Sequence, residues 1–260
     1  MSMTIAARMP SGEGPPSAPP QAIPFRRLIR VEWVKATDTR AARWLLGLVA
    51  VSTIGLMLVP VLAPASIEQT YTSYLVFAAA ALGILLPPVA VLMLTSEWSQ
   101  RTALTTFTQE PRRIRVIKAK LAASMLLGGG AAVYGGVVTA AGLGVAAASG
   151  RGVEANLTAG AAAGFVLAAL LNVGFGVALG ALLQNSATAI AASFVLPATT
   201  GLLVLASKPV GQWLDSSTAI NWVLKNQWGG HVPQIVFSVI LWIAAPLAIG
   251  IVRTMRRDVT

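Results

Sequence analysis

Six stretches of this chain contain no Asp, Glu, Lys or Arg: Trp44 to Ala63, Thr72 to Thr95, Leu121 to Ala148, Leu157 to Leu183, Ala187 to Ala206, and Val232 to Val252. Each reaches the roughly 20 apolar residues that an α-helix needs to cross the hydrocarbon of a bilayer. They recur from Trp44 to Val252 and leave no room for a folded soluble domain. Only 11% of the 260 residues are charged and 55% are hydrophobic, against roughly a quarter charged in ordinary soluble domains; the mean hydropathy is +0.72. These features predict an all-α polytopic membrane protein with six transmembrane helices. The net charge of +10 does not point to nucleic acid, because the cations lie between apolar runs instead of on one face of a soluble fold. With no cysteine, a disulfide framework and a thiolate metal site are both excluded.

Lys and Arg accumulate in cytoplasmic loops of membrane proteins. Seven precede the first span (Arg8, Arg26, Arg27, Arg30, Lys35, Arg40, Arg43), six lie between spans two and three (Arg101, Arg112, Arg113, Arg115, Lys118, Lys120), and Arg253, Arg256 and Arg257 follow span six. The opposite side holds only Arg151, Lys208 and Lys225. Both termini are therefore expected in the cytoplasm. The first span starts behind a basic, proline-rich lead unlike a cleaved signal peptide, and is read as retained.

Residues 1–24 are rich in Pro, Ser, Gly and Ala and read as a disordered tail. Residues 25–36 place Phe25, Leu28, Ile29 and Trp33 at helical spacing, with Arg26, Arg27, Arg30 and Lys35 on the other side. That pattern predicts an amphipathic interfacial helix; an irregular basic flank of span one is the plainer reading. Residues 37–260 form the six-span domain, with a cytoplasmic loop at 96–120 and an external loop at 207–231.

The cytoplasmic loop carries more than a topological signal requires. Glu97, Trp98, Arg101, Thr102, Leu104, Phe107 and Glu110 precede Pro111. Arg101 to Phe107 can make about two helical turns with Leu104 and Phe107 on one face, and Pro111 stops that helix. It is either a docking element for a cytosolic partner or a topological signal alone.

At these residues the sequence resembles the membrane subunits of ATP-binding-cassette exporters of the type-two permease family, particularly actinobacterial ones. The matching pieces are RVEWVK (Arg30 to Lys35), TSEWSQRTALTTFTQEPRR (Thr95 to Arg113), KAKL (Lys118 to Leu121) and the six-span layout. The resemblance implies that Arg30, Glu32, Trp33 and Lys35 belong to a connecting helix. It makes Glu97, Arg101, Thr102, Leu104, Phe107, Pro111, Arg112 and Arg113 the site that couples to an ATPase subunit. It further implies two such ATPase subunits carrying ATP and Mg, a second permease chain, identical or homologous, contact with membrane lipid but not nucleic acid, and a bacterial inner membrane. No GxxxxGK[ST] run occurs, so this chain is expected to bind no cofactor and to be no enzyme itself. No span carries an ionisable residue, which disfavours an ion-coupled carrier. The alternative is a stand-alone channel-like or scaffold protein; a membrane-embedded enzyme ranks third, for want of a His, Asp or Glu cluster.

Span four has small residues every fourth position, Gly160, Gly164, Ala168, Gly176 and Gly180, interrupted by Asn172. Such a ladder makes a groove for close helix approach, with Asn172 able to bond across it, although 24 glycines can also produce one by composition. Pro87, Pro88 and Pro197 should bend spans two and five. By the resemblance those spans line a path, with walls including Leu85, Val89, Leu92, Ser193, Leu196 and Thr200, suited to lipophilic or amphiphilic cargo. In the external loop, Trp213, Trp222 and Trp228 read as interface anchors, and the resemblance adds short helices dipping into the outer leaflet. His231 has no second ligand nearby and is expected to cap or anchor span six.

Overall fold

The computed structural model describes residues 23–99 and 112–256, without the side chains of 97–99 and 113. It is all-helical apart from one isolated bridge. Helix α1 spans Phe25–Asp38, α2 Arg40–Leu62, α3 Tyr71–Ser99, α4 Arg113–Ala148, α5 Ala159–Leu183 and α6 Ser186–Ala206. Two short helices follow, α7 at Lys208–Leu214 and α8 at Ser216–Leu224. The last span is α9 (Val232–Val239), a π-helical turn (Ile240–Ala244) and α10 (Ala245–Arg256). Six helices are long and apolar enough to cross a membrane, so the chain is a multi-pass membrane protein. The third of them, α4, begins eight residues earlier than its apolar run, so Arg115, Lys118 and Lys120 ride on its first turns instead of in a loop.

Helix α5 is the centre of the bundle, with 61% of its most apolar window buried; α3 follows at 56%, and α6 and the last span at 17%. The small-residue ladder explains that position. A Cβ added at Gly176 would stand 2.3 Å from the Pro87 carbonyl oxygen of α3, and one at Gly164 would stand 2.4 Å from the Val223 carbonyl oxygen of α8. Only glycine permits these backbone approaches. Asn172 does not bond across the groove: its amide donates to the Ala168 carbonyl of its own helix at 2.9 Å. Tyrosine hydroxyls stitch α4 to its neighbours, Tyr134 donating to the Ala50 carbonyl (2.9 Å) and Tyr71 to the Gly136 carbonyl (2.8 Å).

The turns before α3 and α5 meet in a parallel bridge between Thr70 and Glu154, and Arg151 donates to the Val61 carbonyl at the end of α2 (2.6 Å). The π turn in the last span has a local cause. Pro246 has no N–H to give the Trp242 carbonyl, and the Ala245 amide reaches back to Ile240 instead. His231 does not cap α9 through its side chain; its ring stacks on Trp222 at 4.1 Å.

Candidate functional site

At the end of the bundle that carries both described chain ends, α1 lies against the start of α4. Its buried positions are Leu28, Glu32 and Ala36, one turn apart, while Phe25, Trp33 and Val34 are exposed. The inward stripe therefore contains an acid. Glu32 is neutralised from two sides: Lys120 of α4 reaches Oε2 at 2.5 Å and Lys35 reaches Oε1 at 2.9 Å. The side chains of Lys120 and Glu32 keep only 5% and 7% of their accessible surface. Removing two charges from water at this depth requires close pairing with both carboxylate oxygens used, and that condition is met. Arg115, on the same helix as Lys120, donates to the Ile23 carbonyl at 2.6 Å, ahead of α1.

This clamp stands beside the stretch that the sequence marks as a coupling element. Arg101, Thr102, Leu104, Phe107 and Pro111 lie outside the described residues, as does the tail before Ile23. Glu97 is in the last turns of α3, and Arg113 opens α4; Arg112 immediately precedes it and is exposed. On the α3 side, Thr95 bonds Ser186 at the start of α6 (2.9 Å). The helices entering and leaving residues 100–111 are thus both tied into the bundle within a few turns.

Further along α3 lies a cavity of about 400 Å³ enclosed by α3, α5, α6 and α8. Its walls are mostly apolar, with Asn172, Ser193, Ser216, Ser217 and Asn221 as polar side chains and no ionisable residue among the described ones. Three carbonyls there lack their usual donor four residues on, because Pro87, Pro88 and Pro197 have no N–H; they belong to Gly83, Ile84 and Ser193, all lining residues. Backbone freed in this way is tolerated at membrane depth where it borders a cavity.

The six residues expected along a path do not share one space. Ser193 lines this cavity, whereas Val89 and Leu92 line a smaller one of about 210 Å³ with Lys35, Thr39 and Ser186. Leu85 packs on the main core, and Leu196 joins the cluster around Phe175. Thr200 is buried and donates to Asp215 at 2.9 Å.

Asp215 was not singled out by sequence, although Asp-Ser-Ser-Thr is a helix-start signature. It is buried and caps α8, accepting from the backbone of Ser217 (3.3 Å) and Thr218 (2.8 Å) and from the Thr218 hydroxyl (2.7 Å). Trp242, beside the π turn, donates to the Leu214 carbonyl (2.9 Å) and meets Phe175 edge to face. Pro246 was the available signal for that turn. Among the described residues no three His, Cys, Asp or Glu side chains gather as a metal site. No protein-family model matches the chain, and no curated protein matches it either.

Proposed function

We propose that this chain is the permease subunit of an ATP-binding-cassette transporter, one of two permease halves bound to two ATPase subunits in a bacterial inner membrane. Its amphipathic first helix lies at the cytoplasmic interface, with both termini inside. ATP-driven closure of the ATPases pushes on residues 99–113, and the two halves rock so that lipophilic or amphiphilic cargo moves outward.

The observation that carries this reading is the course of α3. One continuous helix runs from the cavity wall at Gly83 to Pro87 down to Ser99, where residues 100–111 begin. The helix that leaves them, α4, is fastened two turns later to α1 through Lys120 and Glu32. A displacement at that segment is therefore delivered to the cavity by α3 and to the flanking helix by α4. The prolines of α3 weaken the helix where it borders the cavity, which is where a bend has to occur.

The test is purification of the full chain in mild detergent after co-expression with its chromosomal neighbours. A P-loop ATPase is expected in stoichiometric amount. Reversing Arg112 and Arg113 to Glu should leave insertion intact and uncouple ATP hydrolysis from transport. A chain that purifies alone, without ATP hydrolysis under milder extraction, would return it to the channel or scaffold reading.

A further inference from the structure

We infer that the 400 Å³ cavity between α3, α5, α6 and α8 binds an amphiphile whose polar end is a hydrogen-bond donor, a hydroxyl or a protonated amine, and discriminates against anionic head groups. As a statement about cargo this rests on the transporter reading; as a statement about binding it rests on the cavity.

The polar inventory of the walls is lopsided. Asn172 gives one amide hydrogen to Ala168 and Asn221 gives one to Ser217, so each keeps a single N–H beside a side-chain oxygen with both lone pairs left to use. Ser193 has spent its hydrogen on the Ile190 carbonyl (2.7 Å) and retains only acceptor capacity. The carbonyls of Gly83, Ile84 and Ser193 have lost the N–H that each would receive in an unbroken helix, and they add further acceptors. Ser216 and Ser217 are the only lining hydroxyls without a described bond of their own, able to donate or accept.

Charge points the same way. Asp215, next to Ser216, is a buried carboxylate held by hydroxyl and amide donors, with no cation beside it among the described residues. Its charge is met by dipoles alone, those of the hydroxyls, the amides and the start of α8. A phosphate, sulfate or carboxylate brings only acceptors to a wall whose acceptors already outnumber its donors, and leaves that excess unsatisfied, which is the costly outcome for buried polar groups. A hydroxyl or ammonium head supplies the missing donors. The remaining lining, including Val76, Ile84, Phe165 and Phe194, is apolar and suits a hydrocarbon tail. Ile84 and Phe194 are also exposed on the outside of the bundle, so a tail has a lateral way in.

The experiment uses the full chain alone in phosphatidylcholine nanodiscs, without any ATPase. A photoactivatable myristyl glycerol ether is cross-linked and the labelled peptides are mapped. Unlabelled myristyl glycerol ether, myristylamine and myristyl sulfate then compete for the site. Labelling is expected within 76–87, 165–175 and 216–224, with glycerol ether and amine competing about tenfold better than sulfate. Asn172→Leu should weaken the two donor heads about three- to tenfold and narrow their advantage over sulfate. Asn221→Leu, at an exposed position that folding tolerates, should act in the same direction. Ala80→Phe, which fills the cavity from its exposed wall, should abolish the labelling. Equal competition by sulfate, or labelling indifferent to all three variants, overturns the inference. Absence of an ATPase partner in the earlier purification would leave these binding results standing, and a coupled ATPase with no head-group discrimination would remove this inference alone.

Discussion

The two buried acids among the described residues, Glu32 and Asp215, are stabilised in opposite ways. Glu32, at the end of the bundle that bears both described chain ends, is met by ammonium groups, one of them from a helix 88 residues away. Asp215, in the loop between the last two spans, is met by the amides and hydroxyl of its own next turn and by Thr200. The first arrangement joins distant elements and fails if either partner is lost. The second is a helix cap, local and redundant, strengthened by one hydroxyl from α6. The difference teaches where the described part of this bundle joins distant elements by opposite charge: at the start of α4, where α1 packs on it.

Breaking the Glu32 arrangement should therefore give the largest effect. Lys120→Met leaves a buried carboxylate without its closer partner and should cost about 3–5 kcal/mol, read as a large fall in thermal stability in detergent. Adding Glu32→Leu to it should recover most of that loss, because both charges are then gone; a double variant as unstable as the single one would show that the pair is more than an isolated clamp.

Next in size is a steric comparison along α5. Gly176→Ala drives a methyl into the Pro87 backbone between two long spans and should cost about 1–3 kcal/mol. Gly164→Ala meets the Val223 carbonyl of a nine-residue helix instead, which can shift, so its cost should lie at the lower end of that range. The control is Gly129→Ala on α4, which has nothing within 4 Å and should be neutral or slightly stabilising. Equal losses at all three would mean that the ladder reflects composition.

Asp215→Ala should cost about 1–2 kcal/mol by removing the cap, and Asp215→Asn less, since an amide oxygen still accepts. A loss from Asp215→Ala as large as that from Lys120→Met would erase the contrast between the two acids. The smallest effect is expected from Lys35→Ala. That ammonium keeps 38% of its side-chain surface in solvent, and pairs of this kind contribute at most about 1 kcal/mol.

The candidate site is partly legible in the sequence. Pro87, Pro88 and Pro197 marked two helices with freed carbonyls, but not that those carbonyls border one cavity. Glu32 and Lys120 stood in two quoted segments, RVEWVK and KAKL, with nothing to pair them. Of the six wall residues named from the resemblance, only Ser193 reaches the large cavity, and Asn221 and Ser216 came from a loop that tryptophans had made look like an anchor.

Span number, span length and helix breaks follow from the sequence by itself, because hydropathy is summed over about 20 consecutive residues and a missing proline N–H is a local fact. Which face of each span turns inward was decided only by the tertiary structure. A helix apolar on all sides has no preferred face, so its rotation depends on where its neighbours leave room: Gly164 under α8, Gly176 against Pro87, and Lys120 beside a carboxylate 88 residues earlier.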